Sequence, residues 1–102
     1  MSVDSLLTNN KKTFTIVIEG DFNFSLLHPF RSAYNNSEAS AAEEIVVDLR
    51  KTLTVDSSAL GMLLNMQTDL NKKDNEIKII NCNDVVKKIF TITNFEKKFH
   101  VE

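Results

Sequence analysis

The stretch from residue 55 to residue 73 constrains the fold more than any other, because a helical apolar pattern directly follows three polar residues. At 100° per residue, one continuous arc holds Ala59, Leu60, Leu63, Leu64, Met66, Gln67 and Leu70, which are all apolar except Gln67. Asp56 or Ser57 can cap a helix there by accepting a hydrogen bond from a free backbone N–H. The pattern therefore predicts a helix of about five turns that packs its apolar arc on a core and ends at residues 74–75.

The opposite side of this predicted helix carries a stripe of four residues, Ser58, Met62, Asn65 and Asp69, spaced at i, i+4, i+7 and i+11. That spacing places all four on the solvent side of the helix. Ser58 is therefore predicted to be exposed where the helix begins. Met62 is an apolar side chain directed at water, which indicates a contact surface.

Runs of β-branched and other apolar residues predict the strands. They lie at residues 13–19, 45–49 and 76–81, with shorter candidates at 3–7 and 99–101. The run at 45–49 is short, apolar and bounded by charge, which suits a central strand covered on both faces. Strands that alternate with helices predict an α/β fold with right-handed crossovers and helices on at least one face. A length of 102 residues suits one domain spanning residues 1–102.

Helical spacing predicts two further helices. One runs from about residue 26 to 36 and is entered through Asn23 or Ser25, and the other is short and follows Asn83 or Asp84. Residues 35–42 and 50–54 are predicted to be connections between regular elements. Phe22 and Phe24, which follow the strand at 13–19, are expected to fold inward.

Composition excludes several classes of function. A formal charge of −2 offers no broad basic surface, and there are only one Tyr and no Trp on which bases could stack. No apolar run approaches the roughly 20 residues of a membrane span, and the N-terminus has no basic start. Cys82 is the single cysteine and has no second Cys or nearby His that would complete a metal site. We therefore expect a cytoplasmic protein without a metal, a cofactor, a nucleic-acid partner or a membrane-inserted segment.

Catalytic motifs are missing from the sequence. A nucleophilic serine needs a base, and the two histidines, His28 and His100, lie in no recognisable setting. The G-x-S-x-G elbow, the Walker loop and G-x-G-x-x-G are absent, and the chain has only two glycines. We therefore expect no enzymatic activity. Helix capping and chemical modification remain as uses for Ser57 and Ser58.

Three segments share their pattern with one known family. The first is the hexapeptide Asp56-Ser57-Ser58-Ala59-Leu60-Gly61, placed between a buried strand and an amphipathic helix. The others are the glycine-centred loop at residues 20–23 and the elements at residues 79–81 and 85–90. Together they resemble the STAS-domain anti-sigma factor antagonists, although the family usually has glycine at position 59 and often an acid at position 23. The resemblance implies an α/β fold with a mixed sheet of four to five strands and three to four helices packed mainly on one face.

In that family the second serine of the Asp-Ser-Ser segment is phosphorylated by a partner kinase that is often also the anti-sigma factor. The resemblance therefore implies that Ser58 is phosphorylated, with Ser57 as second choice, while Asp56, Ser57 and Gly61 form the helix cap and motif. It implies a protein that binds an anti-sigma factor or serine kinase when unphosphorylated, releases it when phosphorylated, and is reset by a serine phosphatase. The residues expected to contact the partner are Ser58, Met62, Asn65, Asp69, Asp21 and Asn23.

Two other functions stay open. One is a STAS-like structural subunit of a membrane transport assembly, in which Ser57 and Ser58 only cap the helix. The other is a sensor domain that binds a small ligand or a nucleotide.

Overall fold

Two neighbouring parallel strands lie at the centre of the sheet in the computed structural model, which describes residues 2–102. They correspond to the runs predicted at residues 13–19 and 45–49. In chain order the strands are β1 (Ser2–Thr8), β2 (Thr13–Phe22), β3 (Glu44–Asp48), β4 (Thr52–Val55), β5 (Ile77–Ile80) and β6 (His100–Val101). The helices are α1 (Leu27–Tyr34), α2 (Ser37–Ala41), α3 (Ser57–Asp69) and α4 (Asp84–Ile92), with 3-10 turns at Phe24–Leu26 and Phe95–Lys97.

The sheet is mixed, because β1 runs antiparallel to β2 while the other paired strands run parallel. Its order is β1-β2-β3-β5-β6, and the short β4 pairs with β2 beyond the end of β3. Gly20 has a φ of 92°, a conformation that side chains with a Cβ rarely adopt, and the register between β2 and β4 shifts beside it. Gly20 therefore permits the irregularity at which the pairing of β2 changes from β3 to β4. The predicted mixed α/β architecture is confirmed.

The helices pack mainly on one face of the sheet. Seven strand side chains on that face are at most 2% exposed: Phe14, Ile16, Ile18, Ile45, Val47, Ile77 and Ile79. They belong to the same buried cluster as Phe30 of α1, Leu63 of α3 and Phe90 of α4. On the other face Val17 and Ile80 stay half-buried, as the alternation of side chains along a strand requires when only one face is fully covered.

Several element predictions are confirmed. The weaker strand candidates at residues 3–7 and 99–101 correspond to β1 and β6. Residues 45–48 of β3 are all buried, as expected for a central strand. Asn83 caps α4 as predicted, by accepting a hydrogen bond from the N–H of Val86 at 2.8 Å. The predicted cap of the helix at 26–36 is wrong, because Asn23 caps the 3-10 turn at Phe24–Leu26 and α1 itself has no side-chain cap.

Three further element predictions are wrong. The main helix ends at Asp69 rather than at residues 74–75, because Asn71 adopts a left-handed conformation with φ 55°. The predicted connection at 35–42 contains α2, which Asn36 caps by accepting a hydrogen bond from the N–H of Ala39 at 2.8 Å. The predicted connection at 50–54 contains most of β4, anchored by the Thr52 hydroxyl, which donates to the carbonyl of Ile18 at 2.7 Å.

The longest helix in the described part of the chain has 13 residues, and none there combines the length and apolar character needed to cross a bilayer.

One polar contact links α1 to α3. The hydroxyl of the buried Tyr34 donates a hydrogen bond to Oδ2 of Asp69 at 2.6 Å. Burial and then this hydrogen bond both favour the neutral phenol, and they raise the pKa of Tyr34 to about 12.

We predict that the phenolate absorbance of the protein appears with a midpoint near pH 12 rather than at the ordinary pKa of 10.0. Tyr34 is the only Tyr and there is no Trp, so the signal has one source. Because the folded-state pKa is raised, this group's contribution to stability is complete below the unfolded pKa and is lost as pH rises towards the folded pKa. Asp69→Asn should lower the midpoint, and Asp84→Asn on α4 should not. A wild-type midpoint at the ordinary value would contradict the contact.

Candidate functional site

The candidate site lies where β2 and β4 end side by side. These strands are parallel, so the segments that follow them leave the sheet at the same edge. The backbone N–H of Asp56 donates to the carbonyl of Phe22 at 3.3 Å, which holds the start of α3 against the end of β2. The loop through Asn23 and the hexapeptide from Asp56 to Gly61 are therefore neighbours in space.

Asp56 is the residue that caps α3. Its backbone is extended, with φ −117° and ψ −177°, and its Oδ1 accepts a hydrogen bond from the N–H of Ala59 at 2.9 Å. Ser57 is the first helical residue, so Asp56 rather than Ser57 is the N-cap. A carboxylate at this end of a helix also interacts favourably with the helix dipole.

Ser58 lies in the first turn of α3 and is partly exposed. Its hydroxyl donates to the same Oδ1 of Asp56 at 2.6 Å, so one carboxylate oxygen accepts both a hydroxyl and a backbone N–H. The hydrogen bond from Ser58 is the largest cause that lowers the pKa of Asp56, with help from backbone N–H groups. Asp56 is therefore held in its ionised form beside the Ser58 hydroxyl. Ser57 is exposed, and its side chain makes no hydrogen bond within residues 2–102.

The prediction that Met62 faces solvent is wrong, because its side chain is only 5% exposed. The buried side of α3 is centred on Ala59, Leu63 and Met66. Leu60 and Leu64, at the other edge of the predicted apolar arc, are only half-buried. The apolar arc of α3 is wider than the surface that the sheet can cover, so the sequence pattern did not reveal which edge of the arc is buried.

Gly61 takes the place of Met62 on the accessible side of α3. It lies one turn after Ser58 and is partly exposed, and a Cβ built on it would meet no atom within 4 Å. Its φ is not in the left-handed region, so neither the backbone nor packing within the chain requires glycine here. Asn65 is exposed one turn further along.

Of the remaining predicted contact residues, Asp21 and Asn23 lie beside the start of α3 and Asp69 lies at its other end. Asp69 is exposed but is hydrogen-bonded to Tyr34 at the far end of α3. Asp21 is partly exposed and lies in β2 opposite Thr54. Asn23 uses its amide oxygen within its own loop, where it accepts hydrogen bonds from the N–H and the hydroxyl of Ser25.

Phe24 is an exposed aromatic residue that sequence reasoning misplaced. Phe22 is buried as expected, but Phe24 is 66% exposed. An inward direction would follow if the strand continued past Phe22, yet a 3-10 turn begins at Phe24 and redirects the chain. The signal in the sequence was the polar pair Asn23 and Ser25 around Phe24, which is typical of a turn. Phe24 thus adds an apolar side chain to the loop beside the start of α3.

No group of three or more potential metal ligands occurs within residues 2–102. Burial raises the pKa of the half-buried Cys82 to about 11, so its thiol stays protonated at neutral pH. Within the same residues, the hydroxyl of Ser58 meets a carboxylate and no histidine. The arrangement suits binding or modification of the Ser58 hydroxyl better than nucleophilic catalysis.

The fold is a mixed sheet with a helix entrance at its edge that presents an acid-bound serine. The chain belongs to the STAS domain family, whose model matches residues 6–102. It is 38% identical to a STAS-domain containing protein of Pseudomonas aeruginosa over 99% of both chains. It is 22% identical to the anti-sigma-B factor antagonist of Staphylococcus aureus, over 99% of this chain and 94% of the relative.

Its fold matches the structure of the Bacillus cell fate determinant SpoIIAA in the phosphorylated form, with a TM-score of 0.69 and 14% identity over 99% of this chain and 91% of that one. The resemblance to the STAS-domain anti-sigma factor antagonists is confirmed at the level of family and fold.

We predict that Asp56→Ala lowers the free energy of unfolding by about 1 kcal/mol, because a helix N-terminus loses its cap. Asp56→Asn should lower it less, since an amide oxygen can still accept from the N–H of Ala59. Ser57→Ala, which removes no hydrogen bond from this cap, is the matched control. Urea unfolding of the four proteins measures the effect, and equal stability of Asp56→Ala and wild type would refute the capping role.

Proposed function

We propose that this chain is a phosphorylation-switched binding protein of the anti-sigma factor antagonist type. In the cytoplasm it binds a regulatory partner, an anti-sigma factor or serine kinase, through the surface around Ser58 while that serine is unphosphorylated. Phosphorylation of Ser58 releases the partner, and a serine phosphatase restores binding. The observation that carries the proposal is the 2.6 Å hydrogen bond from the Ser58 hydroxyl to the ionised Asp56.

Phosphorylation would remove the hydrogen that Ser58 donates to Asp56. It would also place a charge of about −1.5 to −2 beside a carboxylate whose pKa is already lowered. The phosphate would repel Asp56 and compete with it for the free N–H groups at the start of α3. The helix keeps an anion at its N-terminus in either case, so we expect the change to remain local and the fold to persist.

The surface that meets the partner combines small and apolar features. Gly61 lets a partner backbone approach α3 closely, and Phe24 supplies an exposed aromatic side chain of the kind that dominates binding energy at many interfaces. Asn65, Asp21 and Asn23 lie at the rim as polar groups. Met62 is left out of this surface because it is buried.

The magnitude of the charge effect is sufficient for a switch. A partner that covers Ser58 would have to remove water from an unpaired dianion, at a cost of several kcal/mol unless it supplies cations. A loss of about 4 kcal/mol converts a micromolar complex into a roughly millimolar one. One modified hydroxyl can therefore change the partner from bound to free at cellular concentrations.

We predict that Ser58→Ala retains the partner in a pull-down from extract of the native host and that Ser58→Asp loses it. Ser57→Ala and Ser57→Asp are the matched controls, because they make the same changes one residue away, where the side chain does not contact Asp56. Both Ser57 variants should recover the partner as wild type does. Equal recovery by all the proteins would exclude a switch at Ser58.

We predict that Gly61→Ala has opposite effects on stability and on binding. Alanine is favoured over glycine inside a helix by up to about 1 kcal/mol, and its Cβ meets no atom of the chain, so the variant should unfold at higher urea concentration. The same methyl group should reduce partner recovery, because it occupies the space left for the partner. Thr68→Ala, at an exposed position of α3 outside the proposed contact residues, is the control and should bind the partner as wild type does. If Gly61→Ala bound as well as wild type, the close approach at Gly61 would be wrong.

A further inference from the structure

The outer edge of β1 carries an unpaired row of backbone donors and acceptors. Within residues 2–102, β1 pairs with β2 on one side and with no strand on the other. All seven residues pair with β2 in a continuous register without a bulge. The strand contains no Pro, Lys or Arg, and Asp4 is its single charged residue. It therefore lacks most of the features with which natural proteins prevent an edge strand from pairing with another strand.

The other strand edges of the sheet are short or covered. β6 has two residues. β4 has four, and the side-chain amide of Asn83 donates to the carbonyls of both Thr52 and Leu53. β1 is about 23 Å long at 3.3 Å per residue. It is thus the one long edge in the described part of the chain that is available for strand pairing.

We propose that β1 pairs antiparallel with β1 of a second copy of this chain, across a two-fold axis through Ser5. Such an axis is perpendicular to the sheet, so helix-facing residues of one copy oppose helix-facing residues of the other. The pairs are then Ser2 with Thr8, Val3 with Leu7, Asp4 with Leu6, and Ser5 with itself. This register uses all seven residues of β1.

The two neighbouring registers are less favourable. An axis through Asp4 places two carboxylates directly opposite each other, which destabilises a strand pair. An axis through Leu6 leaves two residues at the start of β1 unpaired. The register through Ser5 avoids both defects. It also forms two symmetry-related pairs of Val3 with Leu7, on the face where both side chains already pack against the core.

The same register covers the exposed Leu6. This side chain is 46% exposed and lines a shallow depression of about 250 Å³ together with Val17, Asp48, Arg50 and Lys51. Asp4 of the second copy would lie opposite Leu6, on the side of the sheet where Lys51 has no ion pair within residues 2–102. Arg50 is already paired with Asp48 at 3.1 Å, so Lys51 is the cation that the Asp4 carboxylate of the second copy complements.

A ladder of seven residues buries much less area than the roughly 1,600 Å² of a standard protein interface. We therefore expect a reversible dimer that dissociates on dilution. The dimer joins the two sheets at β1 and leaves the start of α3 outside the strand pairing, so it is independent of the proposed switch at Ser58.

Sedimentation velocity of the full chain over roughly 1 μM to 1 mM tests the dimer. Wild type should shift from monomer to dimer across this range. Ser5→Asp and Ser5→Lys each place like charges on the axis and should weaken the dimer about fivefold. An equimolar mixture of the two variants should restore association. Asn10→Asp adds the same charge in the β1–β2 turn, where φ is 56° and Asp is tolerated, and should behave as wild type.

Cysteine cross-linking tests the axis without relying on charge. In a Cys82→Ser background, Ser5→Cys should form a disulfide-linked dimer on oxidation, because directly opposite Cβ atoms lie about 4.5–5.5 Å apart. Thr8→Cys, far from the axis, reports random collisions and should cross-link much less. A wild type that stays monomeric throughout, a mixture that fails to restore association, or equal cross-linking at both positions would overturn the proposal.

Discussion

The carboxylate of Asp56 is the group on which the site depends, because one of its oxygens serves both the fold and the proposed switch. That oxygen accepts from the N–H of Ala59, which fixes the start of α3, and from the hydroxyl of Ser58, which fixes the serine. The hydrogen bond from Ser58, and after it those from backbone N–H groups, lower the pKa of Asp56, and the ionised carboxylate keeps Ser58 oriented. A modification of Ser58 therefore acts first on the hydrogen bonds of the Asp56 carboxylate that caps α3.

The sheet explains why this cap lies at a binding surface. β2 is long enough to pair with β3 in its first half and with β4 in its second, and Gly20 allows the change between them. Because β2 and β4 end together, the loop with Phe24 and the first turn of α3 lie at the same edge. Binding sites in sheets with parallel strands usually lie at such carboxyl ends. A single glycine thus positions the aromatic residue and the serine on the same side of the molecule.

Much of the fold was predictable because local pattern and tertiary structure agree. The β-branched runs at 13–19 and 45–49 form the two central strands, and Asn or Asp residues cap α2, α3 and α4. The hexapeptide indicated the candidate site, because polar residues followed by an apolar helical pattern are typical of a helix N-terminus. The β4 prediction failed because this strand has only four residues and gains its pairing from β2, a tertiary contact. The α2 prediction failed because a helix of five residues is too short to show an apolar period. Met62 was misplaced because the apolar arc of α3 exceeds the area that the core covers.

Tandem mass spectrometry of the intact protein, purified from its native host and mapped residue by residue, tests the central claim most directly. The account predicts one added phosphate, located on Ser58, in a fraction of molecules that falls when the purified protein is treated with a serine phosphatase. A protein that carries no phosphate under any growth condition, or that carries it on Ser57 instead, would contradict the switch proposed here.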